Sequence, residues 1–542
     1  MTQRALHDKS RDGLTNRLET YVLTHFPRLW GFIMAVPALR RWANKQIIGL
    51  AARRAPCRPH EYSSMPVKGD SNAAMACYTS WESLTDRDWF SRHLPVKVLP
   101  AYPKLADMAQ LFQVRPQGPI ISEDSTVLFL SFAQWFTDGF LMTDAVDRRR
   151  THTSHQIDLN PLYGLTREQT QALRLMSEAP GQKGRLKCEE IDGEIYAPKL
   201  YGADGQIKPE YAVLRKPLGL ESYLANLEPS RAAELRKNIF AFGGERANLT
   251  PFTAMLNNLF LREHNRLAGM LEKAYPAWDD ERVFQTARNI VVVELIKIVV
   301  EEYINHISPY YFQLSANPEV CWREYWNKPN WIPVEFNLLY RWHSLVPDEV
   351  VIGGKPVPTK DILFDNSHLL QSGIAPLAVS ASGSRAWEVG LLNTAPFLVD
   401  AELRAIEQSR IHQVGCYNDY REAVGYPRVT RFEQITGDPR KIEVLRGLYG
   451  DDPDGIEFFV GLFAEDVPPR AAVPPLIGRM VGLDAFSQAL TNPLLSEHVF
   501  NERTFSPEGM REIVATVRVE DVLNRNLMAG QKPVTARMTY QN

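Results

Sequence analysis

The apolar positions of the chain recur mostly at the spacing of α-helices. Three stretches show this most clearly, residues 126–142, 255–271 and 279–307. The third opens with acidic residues and includes a β-branched run at 291–299 that resembles a strand. Its length and its interspersed charged residues favour a buried helix instead. The pattern therefore predicts a mainly α-helical protein.

Residues 1–60 differ from the rest of the chain in charge and in pattern. Within 1–54 there are ten basic and three acidic residues, a net charge of +7. Short apolar, aromatic-rich helical stretches lie between these charges and are interrupted by Pro27, Pro37 and Gly49. Such amphipathic helices suit a membrane surface, because the apolar face enters the acyl region while the cations meet the head groups. A helical hairpin packed on the protein's own core is the alternative interpretation.

Composition changes again further along the chain. Residues 61–123 are rich in proline and turn residues and are predicted to form an irregular linking segment. Residues 124–530 are predicted to form one large helical domain, followed by a tail at 531–542. No internal repeat or glycine-rich phosphate loop accompanies these segments.

Whole-chain composition narrows the functional classes. With 542 residues, 44% of them hydrophobic, the chain can bury a large core. A net charge of −3 argues against nucleic-acid binding by the molecule as a whole. The five cysteines show no CxxC spacing, which disfavours a zinc site and favours a reducing compartment. We expect neither a signal peptide nor a transmembrane helix, so contact with a membrane would be peripheral.

The strongest chemical pattern is the segment EFNLLYRWH at residues 335–343. Tyr340 and His343 are three residues apart, the spacing of one helix face. A metal bound to His343 would then lie near the Tyr340 phenol, which suits radical chemistry. In isolation, a core tyrosine and a hydrogen-bonded histidine are the commoner explanation of such a pair.

This segment resembles the proximal haem segment of the cyclooxygenases (prostaglandin endoperoxide synthases) and the wider animal haem peroxidase superfamily. Three further motifs resemble the family in the same order, LREHNR at 261–266, WxDExxFQ at 278–285 and IVVEEY at 298–303. The resemblance implies an animal haem-peroxidase fold, of the type without an epidermal-growth-factor-like module, that binds haem b. It implies His343 as the axial iron ligand, Tyr340 as the radical tyrosine, and Asn337 and Thr137 as cofactor-binding residues.

The resemblance covers roughly residues 20–520 and also implies a fatty-acid channel. The residues that it places at the channel are Tyr303, Ile304, Ser308, Tyr310 and Ser487. The family pairs the tyrosine at the Tyr310 position with an arginine, for which Arg53 is our first choice and Arg54 the second. A guanidinium can bind a carboxylate through two hydrogen bonds and so hold an acyl chain by its head. The basic N-terminal helices resemble the membrane-binding region of the cyclooxygenases.

The distal segment departs from the family. Gln134 matches the distal glutamine, but Asp138 stands where the family has its distal histidine, which transfers a proton during peroxide cleavage. Asp138 could replace this histidine if burial raises its pKa. It could instead pair with a cation and take no part, or His152 or His155 could reach the distal side.

The sequence thus predicts a haem-dependent fatty-acid dioxygenase in which a Tyr340 radical abstracts hydrogen before O₂ adds, with a weakened peroxidase site. The predicted partners are a fatty acid or similar lipid, O₂, a peroxide and the cytoplasmic face of a bacterial membrane. Nucleic acid is excluded, and a homodimer is one of the assemblies that the resemblance allows. Two alternatives remain: a haem oxidase or peroxidase acting on another small molecule, and a non-catalytic haem-binding or lipid-binding relative.

Overall fold

The computed structural model describes residues 18–53, 62–65, 88–214 and 219–541. Helices dominate these residues, which confirms the predicted fold class. The α-helices in chain order are α1 (18–25), α2 (Pro27–Ala35), α3 (Pro37–Arg53), α4 (Val127–Asp138), α5 (Asn160–Tyr163), α6 (Arg167–Leu173), α7 (Leu220–Ala225), α8 (Pro229–Arg236), α9 (Pro251–Ala274), α10 (Asp280–Ile298), α11 (Asn305–Ile307), α12 (Val334–Leu339), α13 (Ser367–Ser372), α14 (Ile374–Gly383), α15 (Val399–Ile411), α16 (Tyr417–Ala423), α17 (Pro439–Tyr449), α18 (Phe458–Ala464), α19 (Pro475–Leu490), α20 (Glu502–Ala515) and α21 (Val519–Arg525).

Strands are short in this mainly helical body. In the described residues they form four antiparallel pairs, β1 (Tyr62–Ser63) with β2 (Ser91–Arg92), β3 (Ile121–Thr126) with β8 (Arg385–Trp387), β4 (Glu189–Ile191) with β5 (Glu194–Tyr196), and β6 (Glu349–Ile352) with β7 (Lys355–Pro358). The predicted linking segment 61–123 includes β1 and β2, whose Arg92 is buried, and a 3₁₀ helix at Leu105–Leu111.

Helix α4 is fixed by its cap and by its apolar face. The Thr126 hydroxyl accepts a hydrogen bond from the Phe129 amide at the helix start. On the buried face, Trp135 stacks on Phe260 of α9 at 4.9 Å, and its indole N–H donates to Asn257 at 3.0 Å. This anchoring turns the remaining face of α4 away from α9.

The long helix predicted at 279–307 is observed, with one irregularity. Helix α10 continues into a π-helical segment, Val299–Ile304, before α11. Extra backbone residues of this kind often occur at functional sites because they redirect side chains. The C-terminal segment packs against this region: the Val519 amide donates to Glu302, and the Thr126 hydroxyl donates to the Met538 carbonyl.

The first three helices lie on the main body as an appended layer. Trp30 is buried against Phe312, and Asn44 forms two hydrogen bonds with the backbone of Ser315. Other large apolar side chains of this layer face outward, namely Leu18, Tyr21, Phe26, Leu29, Phe32, Leu39, Trp42 and Leu50. None of the helices in the described part of the chain combines the length and apolarity needed to cross a bilayer.

Candidate active site

A cavity of about 550 Å³ lies between α4 and the segment that follows α12. Gln134, Thr137 and Asp138 line one wall, and Tyr340 and His343 line another. The rest of the lining is largely apolar, with a group of arginines at one side. The structure therefore brings together five of the residues that the sequence singled out.

Tyr340 and His343 do not share one helix, contrary to the expectation from their spacing. Helix α12 ends at Leu339, and a short 3₁₀ helix begins at His343. The Trp342 indole N–H donates to the Leu339 carbonyl at 2.6 Å and so occupies an acceptor that a continuing helix would use. The break nevertheless leaves both side chains on the cavity.

His343 has a buried carboxylate beside it. Its Nδ1 lies 3.1 Å from Oε2 of Glu402, which is 2% exposed. The Thr394 hydroxyl donates to the other carboxylate oxygen at 3.1 Å and fixes its orientation. With Nδ1 facing Glu402, Nε2 is the nitrogen available to a metal in the cavity.

The donor set fits an iron porphyrin. The site offers one imidazole ligand, a largely apolar wall and a volume in the range of small-molecule and cofactor pockets. Oδ2 of Asp138 is buried without a hydrogen-bond partner among the described residues, so the opposite wall carries an unmatched acceptor. His343 would hold the iron of a bound haem.

Tyr340 lies within a layer of aromatic rings. Phe336, Trp342 and Tyr303 surround it, with the Tyr340 and Trp342 rings stacked at 4.8 Å. Burial raises the pKa of Tyr340, an interaction with the Tyr303 hydroxyl lowers it, and the Asp484 carboxylate raises it further. The phenol therefore stays protonated at neutral pH. An uncharged phenol can lose a hydrogen atom without leaving a buried charge.

Asp138 forms an ion pair. Its Oδ1 lies 3.2 Å from Nη1 of Arg246, and its side chain is 14% exposed. Burial raises the pKa of Asp138, whereas the Arg246 guanidinium lowers it in part. The pairing that the sequence left open as a hypothesis is thus observed, while the carboxylate still faces the cavity.

Two other residues were predicted to bind the cofactor, and of these Thr137 lines the cavity whereas Asn337 does not. The Thr137 hydroxyl donates to the Gln134 carbonyl of its own helix. Asn337 does not reach the cavity directly; it donates to Thr143 at 2.7 Å and accepts from Arg341 at 2.6 Å.

Neither histidine proposed as a distal substitute lies on the cavity. His152 contacts Asp144 at 2.6 Å, and His155 is buried against Trp331 at a ring distance of 5.2 Å. Neither is among the described residues that line the cavity. Asp138 is therefore the titratable group of α4 that faces it.

The predicted channel residues fall into a packed group and a peripheral group. Tyr303, Ile304 and Ser487 are buried, and the Ser487 hydroxyl donates to the carbonyl of Asp484 in its own helix. Ser308 and Tyr310 are half-buried in the loop after α11. This loop contacts α1, because the amide of residue 311 donates to the Leu23 carbonyl.

Arg53 is at the end of α3 and is engaged with a protein carboxylate. Its guanidinium donates through two nitrogens to Glu324, at 2.8 and 3.0 Å. About half of the Arg53 side chain is exposed. Arg54, the second choice for the channel arginine, lies outside the described residues.

Several residues of the site escaped the sequence analysis. Glu402, Arg246 and Arg148 come from segments that carry no motif. Only folding brings Arg246 and Arg148 to the cavity and Glu402 to the side of His343. Arg341 had a detectable signal, because it is a charged residue within an apolar and aromatic run beside Tyr340.

Comparison with known proteins identifies the family of the chain. The model of the animal haem peroxidase family matches residues 68–538. Prostaglandin G/H synthase 2 of Oryctolagus cuniculus is 30% identical over 522 residues, which cover 94% of this chain and 80% of the relative. Prostaglandin G/H synthase 1 of Mus musculus is 28% identical over 520 residues, covering 93% and 80%.

Solved structures share the fold at lower sequence identity. Fatty acid alpha-dioxygenase of Oryza sativa superposes with a TM-score of 0.68 at 15% identity, covering 94% of this chain and 95% of that one. Peroxidase A of Dictyostelium discoideum superposes with a TM-score of 0.64 at 20% identity, covering 84% and 95%. The chain therefore belongs to the animal haem peroxidase family, an oxidoreductase family, as one of its cyclooxygenase-like members.

Proposed function

We propose that this protein is a haem-dependent fatty-acid dioxygenase that works through a Tyr340 radical. One observation carries the proposal: a single cavity holds the His343 imidazole and the Tyr340 phenol on one wall and Gln134 and Asp138 on another. The prostaglandin G/H synthase relatives and the fatty acid alpha-dioxygenase fold support fatty acids as the substrate class.

When bound, haem b supplies a one-electron oxidant after reaction with a peroxide. Gln134 and Asp138 face the space where the peroxide would lie, and the Asp138 carboxylate can accept its proton. The Tyr340 phenol would give up its electron and proton together to that oxidant and become a neutral radical. The radical would take a hydrogen atom from the fatty acid, which restores the phenol. O₂ would add to the carbon radical, and the resulting peroxyl radical would take the hydrogen atom back from Tyr340, which gives a hydroperoxide and regenerates the tyrosyl radical.

Glu402 and the aromatic layer have supporting roles in this scheme. The Glu402 carboxylate, 3.1 Å from Nδ1, would help to orient the His343 ring. The rings around Tyr340 exclude water, which protects a radical from side reactions.

The substrate would enter between α3, α19 and the loop after α11. Arg53 would exchange its Glu324 partner for the carboxylate of the fatty acid, since the two carboxylates offer the same acceptor geometry. Because Tyr303, Ile304 and Ser487 are packed against their neighbours, these side chains must shift to admit an acyl chain.

We also propose that helices α1–α3 attach the protein to a membrane surface. Their exposed apolar side chains include Phe32 and Trp42, each 62% exposed, beside cationic residues such as Arg41 and Lys45. This combination matches an interfacial helix, whose apolar face enters the acyl boundary. A fatty acid dissolved in the membrane would then reach the entrance directly.

The test is O₂ uptake by the haem-loaded protein with a panel of fatty acids and a trace of hydroperoxide. Tyr340→Phe should abolish uptake while keeping the haem absorption spectrum. Tyr163→Phe removes another buried phenol, one that is outside the cavity lining, and should leave uptake intact.

Uptake that persists in Tyr340→Phe would refute the radical mechanism. No uptake by any of the three proteins, with a normal haem spectrum, would refute the fatty-acid assignment. It would favour a family enzyme acting on another small molecule or a non-catalytic relative.

A further inference from the structure

Two arginines on the cavity wall lack an acidic partner. Arg148 and Arg341 both line the cavity, and among the described ranges neither has a carboxylate oxygen within ion-pair distance. Gln408 Oε1 accepts a hydrogen bond from each guanidinium at 3.3 Å, so the two side chains are held on one shared acceptor. In both arginines Nε is buried without a hydrogen-bond partner. Both guanidiniums therefore retain unused donor capacity beside the cavity.

The surrounding charges make this arrangement unfavourable without a ligand. Arg246 and Arg404 also line the cavity, whereas its two lining carboxylates, Asp138 and Asp144, already contact Arg246 and His152. Burial and the nearby Arg246 and Arg148 guanidiniums lower the pKa of Arg341 to about 10, and the Asp138 and Glu402 carboxylates offset only part of this shift. A buried charge is normally balanced by an opposite charge. The excess of positive charge on this wall is thus suited to an anion.

Guanidinium geometry narrows the class of anion. The planar fork of arginine matches a carboxylate through two parallel hydrogen bonds. Two neighbouring arginines on the wall of a porphyrin-sized cavity can receive two carboxylates from one molecule. Iron protoporphyrin IX carries two propionates on the same edge of the ring.

We infer that Arg148 and Arg341 bind the propionate carboxylates of the haem. This inference rests on the haem binding in the proposed function and adds residues that orient the ring. A free fatty-acid carboxylate has the same chemistry, so the experiment must separate the two sources.

The experiment titrates the full-length protein, prepared without haem, with iron protoporphyrin IX and with its dimethyl ester, which lacks both carboxylates. Absorption of the bound porphyrin gives each dissociation constant. The wild type should prefer the diacid by about tenfold to a hundredfold for each carboxylate held by an arginine. Arg148→Gln and Arg341→Gln should each lose roughly one such factor for the diacid and leave diester binding unchanged.

Two further variants define the specificity of the effect. Arg341→Lys keeps the positive charge but not the planar guanidinium, and should lose part of the preference for the diacid over the diester. Arg440→Gln removes one exposed arginine far in sequence from the cavity lining and should change neither constant. The other possible source of the carboxylate is a fatty acid, so the affinity of the haem-loaded proteins for palmitate is measured by calorimetry. This affinity should be equal in the wild type and in both glutamine variants.

Equal binding of diacid and diester by the wild type would overturn the inference without any variant. Weaker palmitate binding in the glutamine variants, with haem affinity unchanged, would assign the arginines to the substrate and overturn it as well. If the wild type bound neither porphyrin, the proposal of a haem cofactor itself would fail.

Discussion

Asp138 allows a sharp test of how this site handles a proton. The sequence resemblance implies a histidine at this position in the family, and here a carboxylate stands 3.2 Å from the Arg246 guanidinium. If the carboxylate is the base in peroxide cleavage, Asp138→Asn should slow that step by about 10²- to 10⁴-fold. Arg246→Gln should keep the base but change its pKa.

The size of the Arg246 effect follows from the geometry. Two unit charges 3.2 Å apart interact by about 5 kcal/mol at an effective dielectric constant of about 20. Arg246 is 44% exposed, and solvent screening reduces the interaction to about 1 kcal/mol. Without Arg246, the burial that raises the pKa of Asp138 acts almost unopposed.

The assay is stopped-flow absorbance of the haem-loaded protein mixed with hydrogen peroxide between pH 4 and pH 8. A base must be deprotonated to act, so the rate of the wild type should fall at acidic pH. Arg246→Gln should move that fall to higher pH, because Arg246 lowers the pKa of Asp138, and Asp138→Asn should remove the fall. Asp361→Asn, an exposed carboxylate outside the cavity lining, should behave as the wild type. An unchanged rate in Asp138→Asn would show that the carboxylate only pairs with Arg246.

Three further predictions follow from the structure. Glu402→Gln should weaken haem binding about 10- to 100-fold in a porphyrin titration, because the carboxylate beside His343 supports the ligand; unchanged affinity would contradict this role. Burial raises the pKa of Glu302 to about 7, so the folded state binds more protons than the unfolded state between about pH 4.5 and 7. Stability should therefore fall by about 3 kcal/mol as pH rises across that window, and Glu302→Gln should remove most of this fall in urea unfolding measured at each pH. Replacing both Phe32 and Trp42 with serine should weaken binding to anionic phospholipid vesicles by at least about tenfold in co-sedimentation; equal binding would argue against α1–α3 as the attachment surface.

The sequence by itself determined the helical class and the principal chemistry. Helix formation depends on local periodicity, so the helices at 127–138, 251–274 and 280–298 could be predicted from apolar spacing alone. The order of the motifs around Tyr340 and His343 indicated the family, because the chemistry requires those residue types at fixed separations. The amphipathic N-terminal helices were visible for the same local reason.

Only the tertiary structure decided which residues meet. Glu402 is 59 positions from His343 and Arg246 is 108 positions from Asp138, and no local pattern relates such pairs. The break between Tyr340 and His343 depends on a hydrogen bond from the Trp342 side chain, which helical spacing cannot anticipate. The excess of arginines on the cavity wall likewise exists only after folding, since electrostatic balance depends on distance in space and on burial. The sequence thus specified the reactive groups, and their partners and ionisation were set by packing.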